Sequence, residues 1–198
     1  MKRIFLIMSL NNDASTYHFT RHNIGSWWIR YFCYLNNVSL VKDNRFLIYF
    51  SKVNFLNTEL FLIEPFNYIN FSGNILYNFL LCNSIQYCSI LIVHDDLDLN
   101  VGDIRLKSFS TTSSHNGVNS VISFLKSSDF FRLRIGIGNN FAISKKTYVL
   151  SEPSYKEKCD ILFSIKCSLF CIDDILNLNF SSFRNNFLFL FNSGGLRV

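Results

Sequence analysis

The chain has 198 residues and a mass of 23.1 kDa, a size that suits one domain. Apolar residues make up 49% and charged residues 17%, so a packed core is expected and disorder is excluded as the main state. A net charge of +5 and a pI of about 8.9 are compatible with an anionic partner such as RNA, and equally with ordinary solubility. The composition holds 22 Phe but only 8 Gly and 2 Pro, with abundant Asn. No single Phe or Asn is therefore informative by itself. Cysteines stand at 33, 82, 88, 159, 167 and 171 without a Cys-x-x-Cys pair, and the histidines lack zinc-ligand spacing. The cysteines read as small buried hydrophobes in a reducing cytosol.

Met1-Lys2-Arg3 and the apolar run after it imitate a signal peptide, but the run stops at Asn11 with no small-residue cleavage site. Ile4–Leu10 is better read as a strand buried on both faces. A polar turn, residues 11–15, follows it. Thr20–Leu35 places Ile24, Trp27, Trp28, Tyr31 and Leu35 at helical spacing, with Thr20 as a candidate N-cap. Phe46–Val53 and Glu59–Ile63 read as neighbouring strands, and Phe71–Leu81 as a helix that begins near Asn70 or Ser72. Ser89–His94 is a short apolar run that suits a central strand and runs into Asp95, Asp96 and Asp98. Gly102–Lys107 alternates Ile104 and Leu106 with Arg105 and Lys107, a half-buried strand with a basic outer face. A Ser/Thr loop and a helix from Val118 come next. Phe131–Gly138 is a second alternating strand, with Arg132 and Arg134 on one face. From about Tyr155 the remainder reads as helical, with helices over Ile161–Asn177 and Phe180–Phe191. No run of 18 apolar residues predicts a membrane span.

Strands that alternate with helices predict an α/β fold: one globular domain over residues 1–198, a mixed twisted sheet flanked by helices. Sites in such folds lie at the carboxyl ends of the strands. Asn12 follows the first strand, Asp95 the central strand, and Asn116 the Ser/Thr loop. Each has a bland reading on its own. His22 suits a structural role near a helix start, Asp95 a loop cap, Asn70 an N-cap and Asn116 a turn. Together they read differently. A His with a carboxylate partner is the minimum for general-base activation of water. No serine stands in a nucleophile elbow, so water is the expected nucleophile. The carboxamides can orient it and donate to a developing oxyanion.

The motifs resemble those of the bacterial-type peptidyl-tRNA hydrolases. Five ordered blocks carry the resemblance: residues 9–25, with Asn12, Tyr17 and Thr20-Arg21-His22-Asn23; Pro65 to Gly73, with Asn70; His94 to Gly102, with Asp95; Ser113 to Gly117, with His115 and Asn116; and Arg132 to Gly138. They cover residues 4 to about 150. Beyond that the likeness is only helical character. The resemblance implies a cytosolic, monomeric esterase that splits peptide from tRNA without metal or organic cofactor. It implies His22 as general base, Asp95 as its partner, and Asn116 as the residue that orients water and stabilises the oxyanion. Asn12, Tyr17, Asn70 and His115 would line the substrate cleft. Arg105, Lys107 and Arg134 would face the tRNA, and their alternation on strands independently gives a basic stripe suited to phosphates.

The chain departs from the family pattern in its turns. Ser9, Asp13 and Ala14 replace Gly, Pro and Gly; Ser110, Thr111, Ser113 and Ser114 occupy a loop that is Gly-rich in the family; Ile69 replaces Met. Loops built for Gly often use positive φ, which predicts altered shape or strain here. A second reading is an RNA-binding protein of the same superfamily that has lost catalysis; retention of His22 and Asp95 argues against it. A nucleotide-binding reading fails because Gly136-x-Gly138 has neither a third Gly nor a helix start after it.

Overall fold

The computed structural model describes residues 3–85, 89–108 and 114–194. The elements in chain order are β1 (Arg3–Ser9), α1 (Ala14–Tyr17), α2 (Ile24–Leu35), β2 (Val41–Asp43), β3 (Ile48–Phe55), β4 (Thr58–Pro65), α3 (Ser72–Cys82), β5 (Ser89–Asp96), β6 (Ile104–Lys107), α4 (Asn116–Leu125), β7 (Phe131–Gly136), α5 (Lys145–Val149), α6 (Tyr155–Phe170), α7 (Ile172–Leu176) and α8 (Phe180–Ser193). Short 3-10 turns at Arg21–Asn23 and Ile69–Phe71 lead into α2 and α3.

The seven strands form one mixed sheet in the order β2-β3-β4-β1-β5-β7-β6. β4, β1, β5 and β7 are parallel, and the outer strands pair antiparallel. The middle strands read as continuous apolar runs because helices cover both faces. On one face, Phe5, Ile7, Leu91, Val93 and Leu133 pack with Trp28 and Phe32 of α2, Ile161 and Ile165 of α6, and Phe183 and Phe187 of α8. On the other, Leu6, Met8, Ile63 and Ile92 pack with Ile75, Leu76 and Phe79 of α3 and with Val118 and Val121 of α4. This is the α/β architecture that the strand–helix alternation predicts.

Several local expectations change. Thr20 does not cap a helix: its hydroxyl donates back to the Tyr17 carbonyl at 2.8 Å, and α2 begins after the intervening 3-10 turn. The helical stretch begins at Tyr155 as expected, on a Ser154/Glu157 capping box, but the helix expected over 161–177 breaks at Cys171 into α6 and α7. β3 and β4 are joined through Leu56 and Asn57, both at positive φ (45° and 62°), as a tight hairpin requires. The Gly-poor first turn takes no positive φ at Ser9 or Asp13. Ser110, Thr111 and Ser113 of the second loop lie outside the described residues, as does Cys88.

β1 leads to β4 on one side and lies beside β5 on the other, which leaves a crevice at the carboxyl ends of these strands. α2 lies close over that crevice because Gly25 has no side chain. A Cβ there would stand 2.4 Å from the Val93 carbonyl oxygen and 3.1 Å from that of Leu10. Neither backbone atom can yield without moving a central strand. Gly25→Ala is expected to lower the unfolding free energy by roughly 2–3 kcal/mol, the cost of forced overpacking, measured by urea titration.

Candidate active site

The crevice is a cleft of about 810 Å³ lined by Asn12, Tyr17, His22, Asn70, Asp95, His115, Asn116 and Arg134, among others. All the proposed catalytic and substrate-lining residues from the sequence are thus brought together. Arg105 and Lys107 are not in this lining. They rim a second groove of about 560 Å³ between β6 and α8.

Asp95 is the centre of the arrangement. β5 runs two residues further than its apolar pattern suggests, so Asp95 lies within the strand and is 2% exposed. Its Oδ1 accepts from His22 Nδ1 at 2.8 Å and from His115 Nε2 at 3.0 Å. The His115 ring also caps α4, with Nδ1 accepting from the Val118 amide at 3.4 Å. Its proton therefore sits on Nε2 and points at Asp95. Donation from His22 Nδ1 likewise leaves His22 Nε2 as the basic nitrogen. The His22 and His115 ring centroids lie 4.8 Å apart.

Charge follows from this geometry. Burial alone would raise the Asp95 carboxyl, but the two imidazoles and their hydrogen bonds outweigh it and hold Asp95 well below the usual carboxylate range. Burial disfavours the charged form of His22. The Asp95 charge and hydrogen bond overcome that penalty, so His22 titrates above its ordinary value. His94 differs. It is fully enclosed, donates from Nδ1 to the Asp95 carbonyl at 2.7 Å, and lies 4.9 Å from the His115 ring. Burial, then the charge of His115, push it down to about 3. Burial also opposes the charged form of Asp96; bonding to Arg134 and to the Asp98 amide outweighs it and lowers its pKa.

The backbone around His22 is held from both sides. Asn23 Oδ1 accepts from the Asn12 amide at 2.9 Å, and Asn23 Nδ2 donates to the Asn12 carbonyl at 3.0 Å. Arg21 is buried on the opposite side of the turn. It donates to Ser151 Oγ at 2.7 Å, to the Glu152 carbonyl at 2.8 Å and to Glu157 at 2.9 Å, and lies over the Tyr148 ring. Asn12 Oδ1 accepts from the Ile69 amide at 3.0 Å, which fixes its carboxamide. Ser9, where the family has Gly, donates to Asn11 Oδ1 at 2.8 Å; Asn11 Nδ2 in turn reaches the Pro65 carbonyl at 2.6 Å and ties β1 to β4. Asn70 and Asn116 are exposed in the cleft, Asn116 as the first residue of α4.

The cleft also holds residues that the sequence reading did not assign to it. Arg132 was visible as the alternation partner of Arg134. Lys145 and Lys146 lie on α5, whose five residues are too few to show a periodicity. His22, Asp95 and His115 also form a group whose ligating atoms lie within 4.8 Å of one another. Among the described residues they are the group that could hold a metal ion, yet His22 Nδ1, His115 Nε2 and Asp95 Oδ1 are already engaged in hydrogen bonds to one another.

An α/β sheet with a His–carboxylate pair and ringed carboxamides at its strand ends defines a class of protein built for water activation beside a polar substrate. The comparisons with known proteins narrow this. A family model described as peptidyl-tRNA hydrolase matches residues 6–187. The peptidyl-tRNA hydrolase of Coxiella burnetii is 38% identical over 176 residues, covering 88% of this chain and 92% of that protein. The peptidyl-tRNA hydrolase of Buchnera aphidicola is 36% identical over 182 residues, covering 89% and 87%. The crystal structure of peptidyl-tRNA hydrolase from Acinetobacter baumannii superposes with a TM-score of 0.85 at 30% identity, covering 94% of this chain and 95% of that one. The chain belongs to the peptidyl-tRNA hydrolase family.

Two outcomes follow. With neutral Asn in place of Asp95, the charge that raises His22 is lost and the ring is free to take the other tautomer. Asp95→Asn is expected to lower kcat by about 10²–10⁴-fold and to move the acid limb of the kcat/KM–pH profile to lower pH, measured on the family's ester substrate. His94 stays neutral in the folded chain down to about pH 3 but takes up a proton near 6.5 once unfolded. Stability from this group is present above pH 6.5 and is lost as pH falls. His22, being raised, titrates on the other side of that value. Between pH 6.5 and 5 the unfolding free energy is expected to fall by up to about 1.4 kcal/mol per pH unit, and His94→Gln to flatten that slope, read by denaturant titration.

Proposed function

We propose that this chain hydrolyses the ester that joins a peptide to the terminal ribose of tRNA. One observation carries the chemistry: the 2.8 Å bond from His22 Nδ1 to Asp95, which leaves Nε2 as a base in the cleft. Nε2 takes a proton from water as the oxygen attacks the ester carbonyl. Asp95 stabilises the imidazolium as it forms. Asn116 orients the water and donates to the oxyanion. When the tetrahedral centre collapses, the C–O bond to the ribose breaks and the imidazolium returns its proton to the leaving hydroxyl. No step needs a metal or an organic cofactor.

Asn12, Tyr17, Asn70 and His115 hold the peptide portion. The Ile69 amide occupies Asn12 Oδ1, so Nδ2 is left to donate to a peptide carbonyl. His115 also acts through Asp95, since both rings share one carboxylate oxygen. Arg105, Lys107 and Arg134 supply the basic surface for tRNA. All these residues lie in one chain, which supports action as a monomer. One sheet and a family match over 6–187 support a single domain over 1–198. The free cysteines support a reducing cytosol. No helix among the described residues is long and apolar enough to cross a membrane. A binding-only role leaves the buried His22–Asp95 pair without a purpose.

The carboxamides imply a selectivity. They suit neutral amides and leave the charged amine of an aminoacyl group desolvated and unpaired. Release of N-acetyl-aminoacyl product from tRNA is expected from the wild type and to fall by at least about 10²-fold in His22→Ala, the loss of general-base catalysis. Aminoacyl-tRNA should be cut far more slowly than its N-acetylated form. No turnover by folded wild-type protein would overturn the function; equal rates on the two esters would overturn the selectivity.

A further inference from the structure

Three carboxamides, Asn12, Asn70 and Asn116, converge on the cleft from three separate segments. Asn12 is fixed by the Ile69 amide. Among the described residues no hydrogen bond holds the side chain of Asn70, which is exposed in the cleft. Its place is therefore set by its backbone, and one hydroxyl from another helix holds that backbone. Ser120 Oγ, on α4, donates to the Asn70 carbonyl at 2.7 Å and accepts from the Gly73 amide at 3.0 Å. Gly73 stands in the first turn of α3, where amides have no partner inside the helix and Phe71 offers no side-chain cap. Ser120 thus caps α3 from outside it. A serine hydroxyl has a single proton to donate, and here it goes to Asn70. The approach needs glycine at 73, because a Cβ there would stand 2.0 Å from the Ser120 carbonyl oxygen. Asn116 lies one turn earlier on the same helix, so it shares a side of α4 with Ser120.

We propose that Ser120 is a positioning residue for substrate binding: its hydroxyl sets where the Asn70 carboxamide stands in the cleft relative to Asn116. The proposal rests on the hydrolase reading, which gives Asn70 the peptide portion of the substrate. Ser120 is not in the cleft lining and touches no reacting atom. It acts through the backbone of Asn70. Without the hydroxyl, the Asn70 carbonyl and the Gly73 amide lose their shared partner, and the 3-10 turn Ile69–Phe71 is freed to shift against α4. Asn12 keeps its bond to the Ile69 amide, so the disturbance falls on Asn70. The His22–Asp95 pair, which hangs on other segments, is left as it is. The loss is then that of one well-placed neutral hydrogen bond to the peptide, not of the base.

The test is a double-mutant cycle on N-acetyl-aminoacyl-tRNA with wild type, Ser120→Ala, Asn70→Ala and the pair. Ser120→Cys is measured beside it. The thiol fills nearly the same space but is a weak donor and acceptor, so it separates lost hydrogen bonds from a cavity, and it carries the cycle if thermal melts show Ser120→Ala unfolded. Each Ser120 variant is expected to raise KM about three- to tenfold, the worth of one neutral hydrogen bond, with kcat within about twofold of wild type, as loss of uniform binding implies. In the Asn70→Ala background the Ser120 change should add nothing to KM, because residues that act through one contact are not additive. Equal rises in KM in both backgrounds, or a fall in kcat alone, mark a merely structural hydroxyl and overturn the proposal, as does an unchanged KM. If wild type cuts no ester, the hydrolase reading fails. The positioning is then read by NMR on the free protein: in Ser120→Ala or Ser120→Cys the Asn70 Nδ2 resonances shift and the Gly73 amide exchanges faster, and unchanged Asn70 signals overturn it.

Discussion

A buried carboxylate must be surrounded by donors or it will not stay charged. Asp95 meets that demand with a single oxygen, Oδ1, which accepts from two histidines. Those histidines come from distant parts of the chain. His22 stands in the 3-10 turn before α2, and His115 at the cap of α4. Two segments must therefore close on the end of β5 before the charge is stable. The site is thus assembled by the same step that completes the sheet. His94, one residue earlier, adds a lock from the other face through the Asp95 carbonyl.

Much of the surrounding sequence works on position rather than chemistry. The turn that carries His22 is short and would be loose if only helix propensity held it. Asn23 pins one side to the backbone of Asn12 at the end of β1. Arg21 pins the other to residues 151–157, including the Glu157 that also completes the capping box of α6. Stability and catalytic geometry therefore depend on shared residues. Ser9 fits the same pattern. Its hydroxyl orients Asn11, and Asn11 joins β1 to β4 beneath the cleft.

The strands β1 and β5 were legible as short continuous apolar runs, and β7 and the helix α2 by their apolar period. Short elements were not. β2 spans three residues at the sheet edge, and α5 spans five, fewer than two helical turns. The break at Cys171 has no Gly or Pro to announce it. Thr20 looked like a cap because Thr often is one; its hydroxyl instead closes the preceding turn onto Tyr17. The residues His22, Asp95, His115 and Asn116 that line the cleft were legible through their motifs. Which of Arg132 and Arg134 is paired was not legible, because alternation places both on one face. That depends on Asp96, which is remote in sequence and adjacent only in the folded sheet.

The adjacent aspartates of β5 show how a strand separates functions that charge alone would mix. Both are near cations, and a cation that moved onto Asp95 would displace the hydrogen bonds that set the tautomers of His22 and His115. Successive side chains of a strand point to opposite faces. Asp96 therefore lies on the face of Arg134, which the β5–β7 register sets opposite His94, and Asp95 lies on the other. Asp96 pairs with Arg134 and leaves Asp95 to the histidines. A shift of one residue in the pairing of β5 would bring Arg134 against Asp95 and turn His94 to the opposite face of the sheet. The parallel register of β1, β5 and β7 therefore constrains the hydrogen bonds of Asp95 as much as it constrains the sheet, and the apolar residues that fix it hold the cleft in shape without lining it.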